Sequence, residues 1–260
     1  EAALAPARMK QKTVLVTSNF DNVGSLPCNT SIGGPAKGII VREIDALGGQ
    51  MAVTADKTYL QMKMLNTAKG PGVQSLRGQA DKIKYPRYMQ KVLKEQENLD
   101  IVEGMVEDLI VEDNTVKGVI LDDGQKIMGK MVILTTGTYL KAEILCGHQK
   151  HPSGPDQQKE SKYLSTRLAK LGFRIQRLKT GTPPRVDINS VDYSKTTLQP
   201  GTDAKLAFSF RTKEYVPIDQ QVPCYLTYTN EKTHQIIRDN LHKSSMYGGI
   251  VKGVGPRYCP

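Results

Sequence analysis

The 260-residue chain carries 36 Lys and Arg against 26 Asp and Glu, a formal charge of +10, with 38% hydrophobic and 24% charged residues. These proportions are those of a globular protein and exclude a disordered one, and no apolar run reaches the roughly eighteen residues of a membrane span. No charged-then-apolar leader opens the sequence, so a soluble, cytoplasmic protein is expected, and the positive surplus favours a polyanion such as RNA.

Residues 1–9 are Ala-rich and read as a helix in which Pro6 is an awkward member. Thr13–Thr17 (TVLVT) is the β-branched run of a strand buried in a parallel sheet. A polar, Gly-bearing loop over 18–38 leads to a helix over 38–47, which would place Ile40, Ile44 and Leu47 on one face. Residues 77–97 read as a long helix kinked or broken at Pro86. A strand begins at 99–102, and 106–111, 116–121 and 125–128 form a meander turning at Asp113-Asn114 and Asp122-Asp123-Gly124. Residues 131–135 (MVILT) are a further apolar strand ending at Thr136-Gly137-Thr138.

Beyond Gly147 the texture changes. Residues 148–159 are polar, with Pro and Gly, and suit a domain crossing. An amphipathic helix over 161–171 has Ser161 as its natural N-cap, and 173–228 holds short strands broken by prolines. A last helix over 230–242 is capped by Thr229 or Asn230, and the tail from Tyr247 is Gly-rich loop. The pattern is α/β with a β excursion, matching half of a dinucleotide-binding domain. The opening strand and its Gly-x-Gly-x-x-Gly turn are missing, and Glu1-Ala2-Ala3 reads as the residues immediately after such a turn.

Four segments carry chemistry. In Pro27-Cys28-Asn29-Thr30-Ser31-Ile32-Gly33-Gly34-Pro35-Ala36-Lys37-Gly38, glycines allow close backbone approach to a ligand, and Lys37 at a helix start suits a phosphate. Lys69-Gly70-Pro71-Gly72 is a rigid loop leading into the expected long helix. Arg177, Lys179 and Arg185 surround a Pro-Pro kink and suit a phosphodiester backbone. Gly253-Val254-Gly255-Pro256-Arg257-Tyr258-Cys259-Pro260 joins a Gly-rich approach to an Arg, an aromatic and a thiol. On composition alone an ordinary turn or a solvated loop accounts for each at least as well, and better for the first and third. The cysteines Cys28, Cys146, Cys224 and Cys259 include no Cys-x-x-Cys pair, so reduced thiols and no metal site are expected. His234 and Asp239 read as surface or capping groups of the last helix.

Together these segments resemble the family of tRNA uridine 5-carboxymethylaminomethyl modification enzymes, also called glucose-inhibited division protein A. The resemblance runs through Cys28-Asn29, Ile32-Gly33-Gly34, Lys37-Gly38, Glu43 to Gly49, Leu65-Asn66, Lys69-Gly70-Pro71 and Gln79-Ala80-Asp81. It continues through LKTGTPPR (178–185), Pro223-Cys224, 229–234 and GPRYCP (255–260), and Gly33-Gly34-Pro35-Ala36 is similar to its Gram-positive branch. Pro27, Thr30 and Gln74 depart from the family's usual residues.

The resemblance implies an internal piece of a cytoplasmic, homodimeric flavoenzyme. Residues 1–147 would be a partial FAD-binding, Rossmann-like domain, and 148–260 an inserted α+β domain for NAD(P)H and substrate. The implied activity adds a carboxymethylaminomethyl or aminomethyl group to carbon 5 of the tRNA wobble uridine, with a GTPase partner, FAD, NADH and methylenetetrahydrofolate as one-carbon donor. The family's two important cysteines fall on Cys28 and Cys259, a thiolate being suited to add at carbon 6 of uracil. Cofactor contacts fall on Asn29, Gly33, Gly34, Lys37, Val106, Thr136, Gly137 and Ser161, with the nicotinamide cofactor near Gly255, Pro256, Arg257 and Tyr258. The alternatives are a flavoprotein reducing another substrate, against which the absence of a paired redox cysteine stands, and a truncated copy without activity.

Overall fold

The structure, a computed structural model, describes residues 1–251, 253 and 255. In chain order its helices are α1 (Leu4–Arg8), α2 (Lys37–Ala46), α3 (Met51–Thr58), α4 (Lys84–Lys94), α5 (Leu164–Lys170) and α6 (Glu231–Asn240). Its strands are β1 (Thr13–Thr17), β2 (Ser31–Gly33), β3 (Tyr59–Leu65), β4 (Ser75–Ala80), β5 (Leu99–Glu103) and β6 (Val106–Glu112). They continue as β7 (Thr115–Leu121), β8 (Lys126–Met128), β9 (Glu143–Cys146), β10 (Gln149–Pro152), β11 (Thr197–Gln199) and β12 (Cys224–Leu226). The class is mixed α/β, as expected. Thr13 N donates to Asn98 O and Gly104 N to Thr17 O, so β1 and β5 run parallel, whereas the sheets β2-β4-β3 and β6-β7-β8 are antiparallel.

The chain divides into two compact units: residues 1–15, 20–101 and 184–227 form the first, and 16–19, 102–183 and 228–260 the second. In the first, α2 and α3 pack on the β2-β4-β3 sheet and α4 packs on α3, around Ile32, Val41, Ala52, Tyr59, Met62, Leu76, Met89, Leu93 and Phe208. Residues 207–212 are drawn into this core by two buried carboxylates. Asp56 accepts from Phe208 N (2.9 Å), Ser209 N (2.8 Å) and Thr212 Oγ1 (2.6 Å). Asp45 accepts from Ser209 Oγ (2.7 Å), Phe210 N (3.0 Å) and Arg211 (2.7 Å). Buried carboxylates persist where such donors replace water.

In the second unit the meander forms as expected, Asp113 and Asn114 supplying the two positive-φ positions (48° and 57°) that a tight hairpin of this hand requires. Helix α5 packs on β6, and Arg167 pairs with Asp108 at 3.2 Å.

Several expectations are corrected. The apolar face expected for the second helix is turned outward: Leu47 is 90% exposed and Ile40 52%, whereas Gly38, Val41 and Asp45 are buried, because Asp45 holds 209–211. Residues 77–97 are not one helix. Ser75–Ala80 is the central strand of a sheet, and Asp81 Oδ1 accepts from the amides of Ile83 and Lys84 to start α4. Pro86 is the third residue of α4, and Pro6 the third of α1, where a missing N–H breaks no intrahelical bond. The Gly-Pro-Gly loop is therefore the tip of the β3–β4 hairpin, closed by one 3-10 turn (Pro71–Val73) and not followed by the long helix. Residues 131–135 form no ladder among the described residues, and Met131 is 87% exposed. An apolar strand of a parallel sheet needs a hydrogen-bonded neighbour, and no described strand lies beside this one. Residues 143–152, in part expected as a crossing, form the β9–β10 hairpin.

Candidate cofactor and thiol sites

In the first unit, Cys28 and Asn29 stand just ahead of β2. Cys28 is half-buried and in no disulfide. The Asn29 Oδ1 atom accepts from Ser31 N (2.8 Å), and Ala80 N donates to Thr30 O (2.8 Å), so the loop is tied to β4. Gly33 and Gly34 both take positive φ, 90° and 88°, and Gly34 N donates to Leu76 O at 2.7 Å. A Cβ at Gly33 would stand 2.2 Å from Leu76 O, so no other residue fits this turn. Lys37 is the exposed first residue of α2. The structure thus brings Cys28, Asn29, Gly33, Gly34 and Lys37 onto one short loop–strand–turn.

The second unit holds four expected cofactor residues, Val106, Thr136, Gly137 and Ser161. Val106 opens β6 opposite Leu121. Tyr139 N donates to Thr136 O, Gly137 takes φ 56°, and Ser161 N donates to Tyr139 O at 2.9 Å. Ser161 is not the cap expected of it. Helix α5 starts at Leu164, and Ser161 instead forms a parallel bridge with Leu140. Its side chain is 5% exposed, and its hydroxyl has no hydrogen-bond partner among the described residues. Such orphaned groups are costly and mark a place where a ligand atom or water completes the structure. The sequence neighbours of Val106 and Ser161 line one cavity of about 360 Å³: Met105, Glu107, Lys159, Glu160, Lys162 and Tyr163.

Lys159 pairs with Asp122 at 2.8 Å beside this cavity. The ammonium holds the Asp122 carboxyl below the usual carboxylate range, and Asp122 raises the Lys159 ammonium in return. The pairing was not legible in the sequence, because Asp122 also reads as a plain turn residue.

In the second unit, Arg177 and Lys179 meet Gly253 and Gly255. Positions for a Cβ on Gly253 and Gly255 lie 3.3 Å from Arg177 Cγ and 2.5 Å from Lys179 Cε, so the two cations rest against Gly-rich backbone. Arg177 donates to Lys141 O (2.7 Å), and Lys179 Nζ meets the weak acceptor Met246 Sδ at 3.2 Å. Pro256, Arg257, Tyr258 and Cys259 lie outside the described residues. Asn230 Oδ1 accepts from Thr233 N and so caps α6, and His234 bonds Thr229, as a surface histidine does. Among the described residues no group of His, Cys, Asp and Glu has the makings of a metal site, and no helix is long and apolar enough to cross a membrane.

Asp45, Asp56, Phe208 and Ser209 belong to the support of the first site and carried no signal in the sequence. Burial opposes ionisation of Asp45, but Arg211, Ser209 and Phe210 N outweigh it and hold the carboxyl below its ordinary value. At Asp56 burial wins over the donors of Thr212, Phe208 and Ser209, and the carboxyl is pushed up.

Known proteins share this architecture. GidA of Aquifex aeolicus superposes with a TM-score of 0.91 at 48% identity, covering 100% of this chain and 44% of that one. The tRNA uridine 5-carboxymethylaminomethyl modification enzyme MnmG of Geobacillus kaustophilus is 57% identical over 260 residues, and that of Geobacillus thermodenitrificans 56%. The chain spans 41% of the length of each of these two relatives. The family profile described as Glucose inhibited division protein A matches residues 1–260, the whole of the sequence, and the chain belongs to that family.

Proposed function

We propose that this chain is the cofactor- and thiol-bearing part of a cytoplasmic, homodimeric enzyme that modifies carbon 5 of the tRNA wobble uridine. The observation that carries the reading is the 57% identity, across all 260 residues, to a relative named for that modification. The +10 charge suits a tRNA substrate. In this reading 1–147 belongs to an FAD domain and 148–260 to an inserted NAD(P)H domain, and a GTPase acts as partner.

FAD fits the residues present. The buried, unpartnered hydroxyl of Ser161 supports a polar ligand atom against it. In the first unit, taken by itself, Gly34 has nothing within 4 Å of where a Cβ would stand, so its backbone is open to close approach by a ligand. NADH would lie along Gly255, Pro256, Arg257 and Tyr258, with Lys179 at the edge of that stretch. When bound, FAD would supply hydride-transfer chemistry to the site. The chain's own thiols activate the base. One of Cys28 and Cys259 adds as thiolate to carbon 6 of uracil, which makes carbon 5 the nucleophile. Carbon 5 bonds to the one-carbon unit, glycine or ammonium supplies the nitrogen of the added group, and loss of the carbon 5 proton to solvent with departure of the thiolate restores the ring.

Cys28→Ser and Cys259→Ser, in full-length protein supplied to a bacterium lacking its own copy, test these roles. Each is expected to abolish wobble-uridine modification in total tRNA while purified protein stays yellow. Full modification by either variant removes that cysteine from the chemistry.

A further inference from the structure

Phe208 is 0% exposed, the largest fully buried side chain of the core. It lies against two glycines on adjacent strands. A Cβ on Gly33 would stand 2.7 Å from its Cζ, and one on Gly78 would stand 3.1 Å from its Cε2. Gly78 pairs with Ile32 in the β2–β4 ladder, and its φ is not positive, so backbone freedom gives no reason for glycine there. The ring supplies the reason: neighbouring glycines on β2 and β4 form a slot, and Phe208 fills it.

The ring cannot shift easily. Its own amide and that of Ser209 are held by Asp56, Ser209 Oγ and Phe210 N by Asp45, and Ala207 O by Arg42 at 2.9 Å. On the other side of the slot, the turn is bonded to β4 through Gly34 N and Leu76 O, and the preceding loop through Thr30 O and Ala80 N. Residues 28–34 therefore ride on β4 and on the ring together.

We infer that Phe208 is a positioning residue: from 184–227 it seats the Gly33–Gly34 turn and thereby sets the placement of Cys28 and Asn29. The inference rests on the reading of 27–38 as a ligand and thiol loop. It adds that 184–227, which supplies none of the expected cofactor or catalytic residues, controls that loop.

The test is the alkylation rate of each thiol in full-length protein, followed by iodoacetamide labelling and peptide mass spectrometry. Phe208→Leu removes the flat ring edge, and Gly78→Ala pushes on it while keeping the ring. Leu93→Ala, which trims the same core away from the slot, is the control for general loosening. Phe208→Leu and Gly78→Ala should each change the Cys28 rate severalfold, with Cys146 and Cys224 unchanged, whereas Leu93→Ala should leave Cys28 near wild type. An unchanged Cys28 rate in both slot variants, or an equal change in Leu93→Ala, would overturn the inference. Flavin titration of the same variants separates the two layers. A shifted Cys28 rate with weaker flavin binding supports both, and a shifted rate with unchanged flavin affinity supports the seat while removing the turn from the flavin site.

Discussion

Ser161 shows how one atom separates folding from function. A buried hydroxyl without a partner costs about 1–3 kcal/mol, and a ligand hydrogen bond there recovers about 1 kcal/mol or more. Ser161→Ala is therefore expected to leave the flavin-free protein as stable as wild type or more so, while weakening flavin binding by roughly tenfold. Thermal melts of the flavin-free protein and a flavin titration check the two signs. Loss of stability without loss of affinity would make Ser161 a packing residue only. The two carboxylates under the Phe208 loop make opposite predictions about pH. Asp45 has a lowered folded pKa, so its contribution is present above the ordinary carboxylate value and is lost as pH falls through the folded one. Asp56 has a raised folded pKa, so its contribution is present below the ordinary value and lost as pH rises through the folded one. Asp45→Asn should flatten the acid limb of melting temperature against pH. Asp56→Asn should remove the decline on the upper side, and should cost about 1–3 kcal/mol through a buried donor left unmatched.

At the scale of elements, what was legible was local. The β-branched run of β1 and the Asp113-Asn114 turn between β6 and β7 carry their geometry in their own residues, and both form where expected. What was not legible depends on distant partners. Helix α2 turns Val41 and Asp45 inward because Asp45 binds a loop more than 160 residues away, while its exposed isoleucines mimic a core face. Ser75–Ala80 has the composition of a helix start, yet it lies between β2 and β3, and ladder pairing overrides propensity. The same reason explains the candidate sites. Motif glycines named Gly33 and Gly34, but the Phe208 seat beneath them comes from a segment read only as proline-broken strands. Val41→Ala is expected to cost about 2 kcal/mol, and Ile40→Ala less than about 0.5 kcal/mol. Urea unfolding midpoints decide, and the reverse order would restore the outward face of α2 to the core.

At the scale of the molecule, each unit gathers residues that are far apart in sequence. The first collects 184–227 with the Cys28 loop, and the second brings the sequence neighbours of Val106 and Ser161 to one cavity, Thr136 and Ser161 to Tyr139, and Lys179 to Gly255. The chain spans 41% of the length of its Geobacillus relatives. The most direct measurement replaces the matching part of the Geobacillus kaustophilus relative with this sequence and expresses the chimera in a bacterium lacking its own copy. Nucleoside mass spectrometry of its tRNA then reads the wobble uridine. Return of the carboxymethylaminomethyl or aminomethyl group is the predicted result. Soluble, flavin-loaded chimera with an unmodified wobble uridine would contradict the account.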